Sequence, residues 1–459
     1  AVVAIYVFVA MILTWPAVVE LGQVVPGAGR TDLWNSLWSI WLVHGGLSEG
    51  AWITEPALLN CPSGGGLLVS DPLGALLAAP MVSMFGLTVA YCLLVWMQLA
   101  LAGVLAHGFA HQLSLAVANP AGSDEAPGAS PWSFRSVGWV AGLSYAAAPV
   151  LLSGVHNGTS EAFAGGWAAG AAWACWSVAR RPSLARGVVA VMALFLASLA
   201  SWYSAVVAFL FAGALLLVGT PGAWKRSVVA RTLVIVVAVG CVAPLAAQFH
   251  SAAREPGNLV GIKQDREVRM VRRSTGAADP RGYLVGGDFR SPDFRLISRY
   301  GEEFVHCHYL GWVGLLLALV GLRDRRRGTG FIWLAGAMGG VLSLGPVWVQ
   351  DAMAVIVLED RAVPLPYFLL ESLPGFGSLS LVYRLAQAPA LAVSLLAAVA
   401  LGGRRGRWTG LALAGILIEG HLVSPMSSLP DTSSTEVEQP ILALAQAPDG
   451  AVMNFPVVG

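Results

Sequence analysis

Charged residues are scarce in this chain. They make up 12% of its 459 residues, about half the share usual in soluble domains, and the mean hydropathy is +0.69. Apolar stretches of roughly 15 to 25 residues recur along the whole length, and each is long enough to cross, or nearly cross, a hydrocarbon core about 30 Å thick. The shortage of charge therefore argues against an ordinary soluble fold and predicts an all-α polytopic membrane protein.

Cysteine motifs are also missing. The five cysteines include no C-x-x-C motif and no Cys/His cluster of zinc spacing, which argues against a disulfide framework or a structural metal site. Cys61 and Cys307 fall on the same predicted side and are left open as a pair. A net charge of +1 gives no indication of a nucleic-acid partner, and none is expected. Walker, dinucleotide-binding and nucleophile-elbow motifs are not found.

About eleven apolar segments are predicted to be transmembrane helices. A further segment, 72–86, is apolar but short and begins with proline, which favours a re-entrant or interfacial helix. Segments 188–202 and 203–219 are interpreted as two spans, with one long tilted helix as the alternative. The predicted spans are 1–24, 88–112, 136–154, 161–178, 188–202, 203–219, 232–250, 309–322, 329–348, 382–402 and 408–423.

Basic residues predict the orientation of these spans, because Lys and Arg near span ends mark the cytoplasmic side. They concentrate in alternate connections, whereas the opposite short connections hold only Arg30, Arg361 and Arg384. The N-terminus is therefore expected in the cytoplasm and the C-terminus outside. A transmembrane domain, 1–423, would carry outer loops 25–87, 251–308 and 349–381, and 424–459 would begin an outer soluble domain that the sequence does not complete.

The first outer loop carries two acidic residues next to predicted helices. Three tryptophans at spacings of four and three follow Asp32 on one helical face, which is typical of a helix in the membrane interface. Asp32 can cap that helix, or act as a partly desolvated general base. Asp71 directly precedes Pro72 and can cap the short helix or bind substrate or metal. Asn35, one turn after Asp32, is a candidate substrate-binding residue.

The order of these features resembles the GT-C class of membrane glycosyltransferases. The features are a first span, an outer loop opening with Asp, a P-x-x-x-N-x-P stretch and an apolar helix ending in Phe-Gly. Later segments are similar too: HNGTSEAFAGGW at 156–167, ASWYSA at 200–205, HYLGWVGLLLALVGL at 308–322, LPGFGSLSLVYRLAQAPAL at 373–391 and GAVMNFPV at 450–457.

This resemblance implies a catalytic site on the outer face of a bacterial cytoplasmic (inner) membrane. The donor would be a sugar linked to polyprenyl phosphate, and the acceptor a glycan, lipid or protein. Asp32 matches the acidic residue thought to activate the acceptor in that class. Several GT-C families carry two adjacent acids there, whereas Thr31 and Leu33 flank Asp32. No cofactor is certain, and a divalent metal is possible.

Other ionisable residues are candidates for the same site. Glu161 is interpreted as a first-turn helix carboxylate or as a supporting catalytic acid, and His156 as a solvated loop residue or a substrate-binding one. Arg384 stands at the outer end of a span, where it can snorkel to lipid headgroups or bind a lipid-linked phosphate. Arg295 and Arg299 of the long loop can bind that phosphate too.

Three functions remain open. Glycosyl transfer is favoured, with Asp32 as base, Asp71 and Glu161 in support and the arginines binding phosphate. A lipid or polysaccharide transporter or flippase would be expected to carry ionisable residues buried in its spans. A non-catalytic membrane scaffold would keep the fold without the chemistry.

Glu303, His306 and His308 form a weak motif for a metal.

Overall fold

The computed structural model of the protein is helical for the most part. It describes residues 1–29, 31–50, 71–118, 131–218, 224–252, 276–286, 305–322, 328–350, 354–355, 357–358, 361–371, 373, 376, 379–402, 406–422, 430 and 432–435.

The α-helices follow one another with short connections wherever the chain is described. In chain order they are α1 Val2–Leu13, α2 Leu33–Ser48, α3 Pro72–Phe85, α4 Leu87–Ala118, α5 Pro131–Ala146, α6 Pro149–His156, α7 Ser160–Phe163, α8 Gly165–Arg180, α9 Leu184–Ala200, α10 Trp202–Val218, α11 Trp224–Ala252, α12 Trp312–Leu322, α13 Gly330–Ser343, α14 Tyr367–Leu370, α15 Gln387–Leu401 and α16 Gly406–Leu422, with 3₁₀ turns at Pro280–Tyr283 and Val382–Ala386.

Three helical stretches in the described residues are long and apolar enough to cross a membrane. They are Leu87–Val117, Val137–His156 and Val382–Leu401, and seven other apolar helices have 10 to 17 residues. The helices are therefore compatible with a membrane protein. The predicted count of about eleven spans is not confirmed, because most of these helices are shorter than the roughly 20 residues that a perpendicular crossing needs. The predicted orientation and cellular location stay predictions.

Several boundaries differ from the predicted ones. Helix α1 ends at Leu13 rather than near residue 24, ahead of Pro16, which cannot donate a backbone hydrogen bond. Helix α4 runs on to Ala118, past the predicted end at 112. Segments 188–202 and 203–219 belong to two separate helices rather than one long one, because Ser201 adopts an extended backbone between α9 and α10; their role as two spans stays a prediction.

Helices α4 and α15 lie at the centre of the bundle. Helix α4 packs against α1, α3, α5, α8 and α15, and α15 is buried along nearly its whole length. Small residues permit the closest approach: a Cβ on Gly336 of α13 would lie 2.6 Å from Ala392 Cβ, and one on Gly339 would lie 2.3 Å from Ala388 Cβ. Close packing through small residues is usual where helices associate within a membrane.

Short strands join distant parts of the chain. Strand β1, Val24–Pro26, pairs antiparallel with β6, Thr432–Ser434, so the segment after α16 returns to the loop that precedes α2. The Ser433 hydroxyl also donates to the Gly27 carbonyl oxygen at 2.7 Å. The proposed domain boundary at 423 stays a prediction. The remaining strands are β2 Val349–Gln350, paired with β3 Ala354–Val355, and β4 Val357–Leu358, paired with β5 Arg361–Ala362.

Candidate functional site

The turn between α6 and α7 lies directly against the start of α2. Gly158 has a φ of +62°, and a Cβ there would lie 2.3 Å from Leu33 Cα, so only glycine fits this contact without displacing the backbone. The Ser160 amide donates to Ser36 Oγ at 3.3 Å. These contacts hold the first turn of α7 beside the first turn of α2, which places Glu161 and Asp32 in the same region of the molecule.

Glu161 forms a buried ion pair with Arg384. Arg384 Nη1 donates to Glu161 Oε1 at 2.7 Å, and the two side chains are 2% and 14% exposed. Arg384 lies in the 3₁₀ turn before α15, and its Cζ stands 5.1 Å from the centroid of the Tyr203 ring. Of the two alternatives for Arg384, snorkelling towards headgroups does not fit its burial, and phosphate binding stays a prediction.

The Arg384 guanidinium keeps hydrogen-bonding capacity after this pairing. Its Nε and Nη2 atoms make no hydrogen bond within the described part of the chain. A buried charged donor without a partner is costly, so such groups in folded proteins usually mark a ligand, water or ion. Two adjacent N–H groups of an arginine match two oxygens of a phosphate or carboxylate. The geometry therefore suits a bidentate anion at Arg384.

Asp71 brings a second carboxylate to the same region. Its Oδ1 accepts from the Gly74 amide at 2.7 Å, which confirms the predicted cap of α3. Its Oδ2 is buried without a hydrogen-bond partner among the described residues. Glycine is required at position 74, because a Cβ there would lie 2.0 Å from Asp71 Oδ2.

The environment of Asp71 changes its acidity. Its pKa is raised to about 7, chiefly because burial disfavours the charged carboxylate. The nearby Glu161 carboxylate raises the pKa further, whereas the hydrogen bonds from the Gly74 amide and the Ser160 hydroxyl lower it. A carboxyl group that titrates near neutral pH can both accept and return a proton, as general acid–base chemistry requires. We refer to Asp71, Ser160, Glu161, Tyr203 and Arg384 as the α7 cluster.

Asp32 occupies the N-cap position of α2, as predicted, but its side chain makes no capping hydrogen bond. Its Oδ1 instead accepts from Asn35 Nδ2 at 3.2 Å, and the Asp32 residue is partly exposed. The segment before it is fixed, because the Ala28 amide donates to the His156 carbonyl oxygen at 2.7 Å. Asp32 and Asn35 thus stand on a positioned helix end.

His156 and its neighbour Asn157 are buried rather than solvated. His156 is 2% exposed, which contradicts the prediction of a solvated loop residue, because α6 continues to His156 and packs it inside. Asn157 was not predicted as a site residue. Its side chain donates to the Val305 carbonyl oxygen at 2.7 Å and accepts from the Val305 amide at 2.8 Å, so it ties the chain that leads into α12 to the end of α6.

The long-loop predictions are only partly covered by the structure. Arg295, Arg299 and Glu303 lie outside the described residues. His306 stacks on Tyr383 with ring centroids 4.3 Å apart, and His308 Nε2 lies 2.8 Å from the Asp279 carbonyl oxygen. No group of three or more His, Cys, Asp or Glu side chains with metal-binding geometry occurs in the part of the chain that is described. Cys307 is buried, and Cys61, its possible partner, lies outside the described residues.

Sequence reasoning missed two further members of the site. Tyr203 lies under Arg384, and the Gln387 amide donates to the Ala162 carbonyl oxygen at 2.9 Å, at the C-terminal end of α7. Both residues fall in motifs that were noted for their resemblance to GT-C proteins, but neither carries a charge or a periodicity that would have indicated a role. Their roles come from contacts between segments more than 170 residues apart.

Comparison with known proteins adds no relative to this description. The chain matches no family model, and no curated protein or solved structure matches it.

Proposed function

We propose that this protein is a membrane glycosyltransferase of the GT-C type. It would transfer a sugar from a polyprenyl-phosphate donor to a glycan, lipid or protein acceptor at the outer face of a bacterial cytoplasmic membrane. The observation that carries the proposal is the buried Arg384, which pairs with Glu161 and keeps two nitrogens without partners among the described residues, while the buried Asp71 lies within electrostatic range of Glu161.

The roles follow from charge and position. Arg384 binds the phosphate of the donor through Nε and Nη2, and Glu161 holds the guanidinium through Nη1. Asp32, partly exposed at the end of α2, accepts the proton of the acceptor hydroxyl. Asp71 lies deeper and provides a second carboxyl group that titrates near neutral pH.

The proposed reaction is a displacement at the anomeric carbon. The acceptor oxygen loses its proton to Asp32 and forms a bond to the anomeric carbon, while the bond from that carbon to the phosphate oxygen breaks. The electron pair leaves with polyprenyl phosphate, where negative charge increases. A fixed guanidinium at that phosphate stabilises the developing charge, and a low-dielectric surrounding strengthens the interaction.

A transporter of the same lipid is the second candidate, and a specific observation favours it. Arg384 lies within the candidate span Val382–Leu401 and pairs with Glu161 inside the bundle. Ionisable groups buried among membrane helices commonly mark substrate pathways of transporters. Arg384 thus meets the expectation that a transporter carries an ionisable residue buried in a span.

Transfer and transport can be separated in one preparation. The full chain would be reconstituted in vesicles of phosphatidylethanolamine and phosphatidylglycerol with radiolabelled polyprenyl-phosphate sugars and mixed acceptors. Asp32→Asn is expected to lower transfer at least about a hundredfold, because it removes the general base. Glu49→Gln, an exposed carboxylate at the other end of α2, is the matched control and should leave transfer unchanged.

Each other outcome points to a different function. Transfer that is unchanged in Asp32→Asn would remove that residue as base. Movement of the labelled lipid between leaflets, without transfer by the wild type across all donors, would favour the transporter. If the wild type shows neither transfer nor lipid movement, the result would favour the scaffold.

A further inference from the structure

Two motifs far apart in the chain meet at the α7 cluster. One is ASWYSA at 200–205, and the other is LPGFGSLSLVYRLAQAPAL at 373–391. The Tyr203 hydroxyl oxygen accepts from the Leu381 amide at 2.9 Å, across 178 positions of sequence. Leu381 is the residue from which the 3₁₀ turn carrying Arg384 begins. The hydroxyl of Tyr203 therefore fixes the backbone from which the Arg384 side chain projects.

The ring of Tyr203 contacts the same arginine directly. Arg384 Cζ stands 5.1 Å from the ring centroid, and Tyr203 is only 7% exposed. An aromatic face attracts a cation most strongly where both are removed from water. The Nε and Nη2 atoms of Arg384 are buried and make no hydrogen bond within the described residues, so an anion that reached them could accept from both. One tyrosine thus restrains both the backbone and the side chain of Arg384.

Tyr203 is itself firmly placed. Its amide donates to Ser201 Oγ at 3.1 Å in the one-residue break between α9 and α10. The adjacent Ser204 hydroxyl donates to the Ala164 carbonyl oxygen at 3.4 Å, immediately after α7. The start of α10 is therefore tied to the segment that carries Glu161. Both partners of Arg384, the Glu161 carboxylate and the Tyr203 ring, belong to one hydrogen-bonded frame.

We infer that Tyr203 is a positioning residue that orients Arg384 towards the phosphate of a polyprenyl-phosphate ligand. This inference rests on the proposed function and adds to it the residue that prepares the phosphate site before the ligand arrives. Tyr203 does not take part in proton transfer. Its loss should weaken ligand binding, because a long and rotatable side chain must then be ordered at the moment of binding.

The test measures binding of polyprenyl phosphate without a sugar, so it does not depend on transfer. The full chain would be placed in nanodiscs of phosphatidylethanolamine and phosphatidylglycerol and titrated with radiolabelled polyprenyl phosphate. Tyr203→Leu removes ring and hydroxyl and should raise Kd about tenfold, the effect of one desolvated cation–π contact. Tyr203→Phe keeps the ring but loses the hydroxyl. It should raise Kd about threefold, which corresponds to the low end of the net contribution of one hydrogen bond.

The controls separate this role from a general packing defect. Tyr6→Phe removes the hydroxyl of another buried tyrosine, which bonds to His107 outside the α7 cluster, and should leave Kd unchanged. Where transfer is measured, the Tyr203 variants should raise KM for the donor about as much as Kd, with kcat lowered less than twofold. If Tyr203→Leu fails to fold, Tyr203→Met provides an apolar side chain of similar length.

Arg384→Gln separates the positioning role of Tyr203 from the phosphate site at Arg384. If Arg384→Gln loses binding while both Tyr203 variants bind like the wild type, the positioning role is overturned and the phosphate site stands. If Arg384→Gln itself binds like the wild type, the phosphate site of the proposed function is wrong. If binding weakens in Tyr203→Phe, weakens further in Tyr203→Leu and is lost in Arg384→Gln, the result supports both the positioning role and the phosphate site.

Discussion

The Arg384–Glu161 and Arg281–Asp279 pairs contain the same chemical groups in two different settings. Asp279 and Arg281 are two residues apart; the arginine is 42% exposed and the Asp279 side chain is 0% exposed. Arg281 Nε and Nη2 both bond to the Asp279 carboxylate, at 3.3 and 3.1 Å. Arg384 and Glu161 are 223 positions apart, both are largely buried, and only Nη1 of the arginine bonds to the carboxylate.

The two arginines differ in how many of their hydrogen-bond donors remain without partners. The carboxylate of Asp279 also accepts from the Arg281 amide at 2.9 Å, so this pair completes a local turn. The Arg384 pair is assembled from distant segments and leaves donors without partners in the described structure. A local pair whose partly exposed arginine bonds through two nitrogens is structural in character, whereas a remote pair whose buried arginine keeps donors without partners has the properties of a binding site.

The largest expected effect comes from breaking the buried pair. Arg384→Gln should lower the free energy of unfolding by about 3 kcal/mol, because the variant removes one partner of a buried ion pair. The double variant Arg384→Gln/Glu161→Gln should recover more than half of that loss. Chemical denaturation in detergent micelles measures both. A double variant no more stable than the single one would show that the two charges are not coupled.

An intermediate effect is expected from Asp71. Its pKa is raised in the folded protein to about 7, above the ordinary value of 3.8, so the folded state retains a proton that the unfolded state has lost. This contribution to stability is fully present below about pH 4 and is lost as pH rises through about 7. Between pH 5 and 7 the loss amounts to roughly 2 kcal/mol.

Asp71→Asn removes this pH dependence. The free energy of unfolding of the variant, minus that of the wild type, should therefore increase by that amount from pH 5 to 7. Denaturation series at several pH values measure the difference, and other carboxylates cancel because both proteins contain them. A difference independent of pH would show that Asp71 is already ionised at pH 5.

The smallest effect is expected at the local pair. Arg281→Gln should lower the free energy of unfolding by less than the roughly 3 kcal/mol expected for Arg384→Gln, because the arginine is 42% exposed and the Asp279 carboxylate keeps its hydrogen bond from the backbone amide of residue 281. It should also leave polyprenyl-phosphate binding unchanged, in contrast to Arg384→Gln. The same denaturation and nanodisc measurements apply. A loss of binding in Arg281→Gln would remove the distinction between the two pairs and place the 3₁₀ turn Pro280–Tyr283 in the site.

Features that depend on neighbouring residues were predictable from the sequence. The Asp-Pro step at 71–72 predicted the start and cap of α3, because both depend on the backbone groups of one helical turn. The apolar runs predicted most helices, and Asp32 was correctly placed at the start of α2. The length of α4, the end of α1 and the burial of His156 were not predicted, since packing against other helices decides them.

The sequence by itself determined a mostly helical, apolar bundle and a set of acidic and basic residues that chemistry singles out, because composition and local patterning are sufficient for both. Only the tertiary structure decided that Glu161 pairs with Arg384, that Tyr203 lies beneath the guanidinium and that the buried Asp71 lies within electrostatic range of Glu161. Those contacts join segments that are far apart in sequence, and no local pattern specifies which faces of which helices meet.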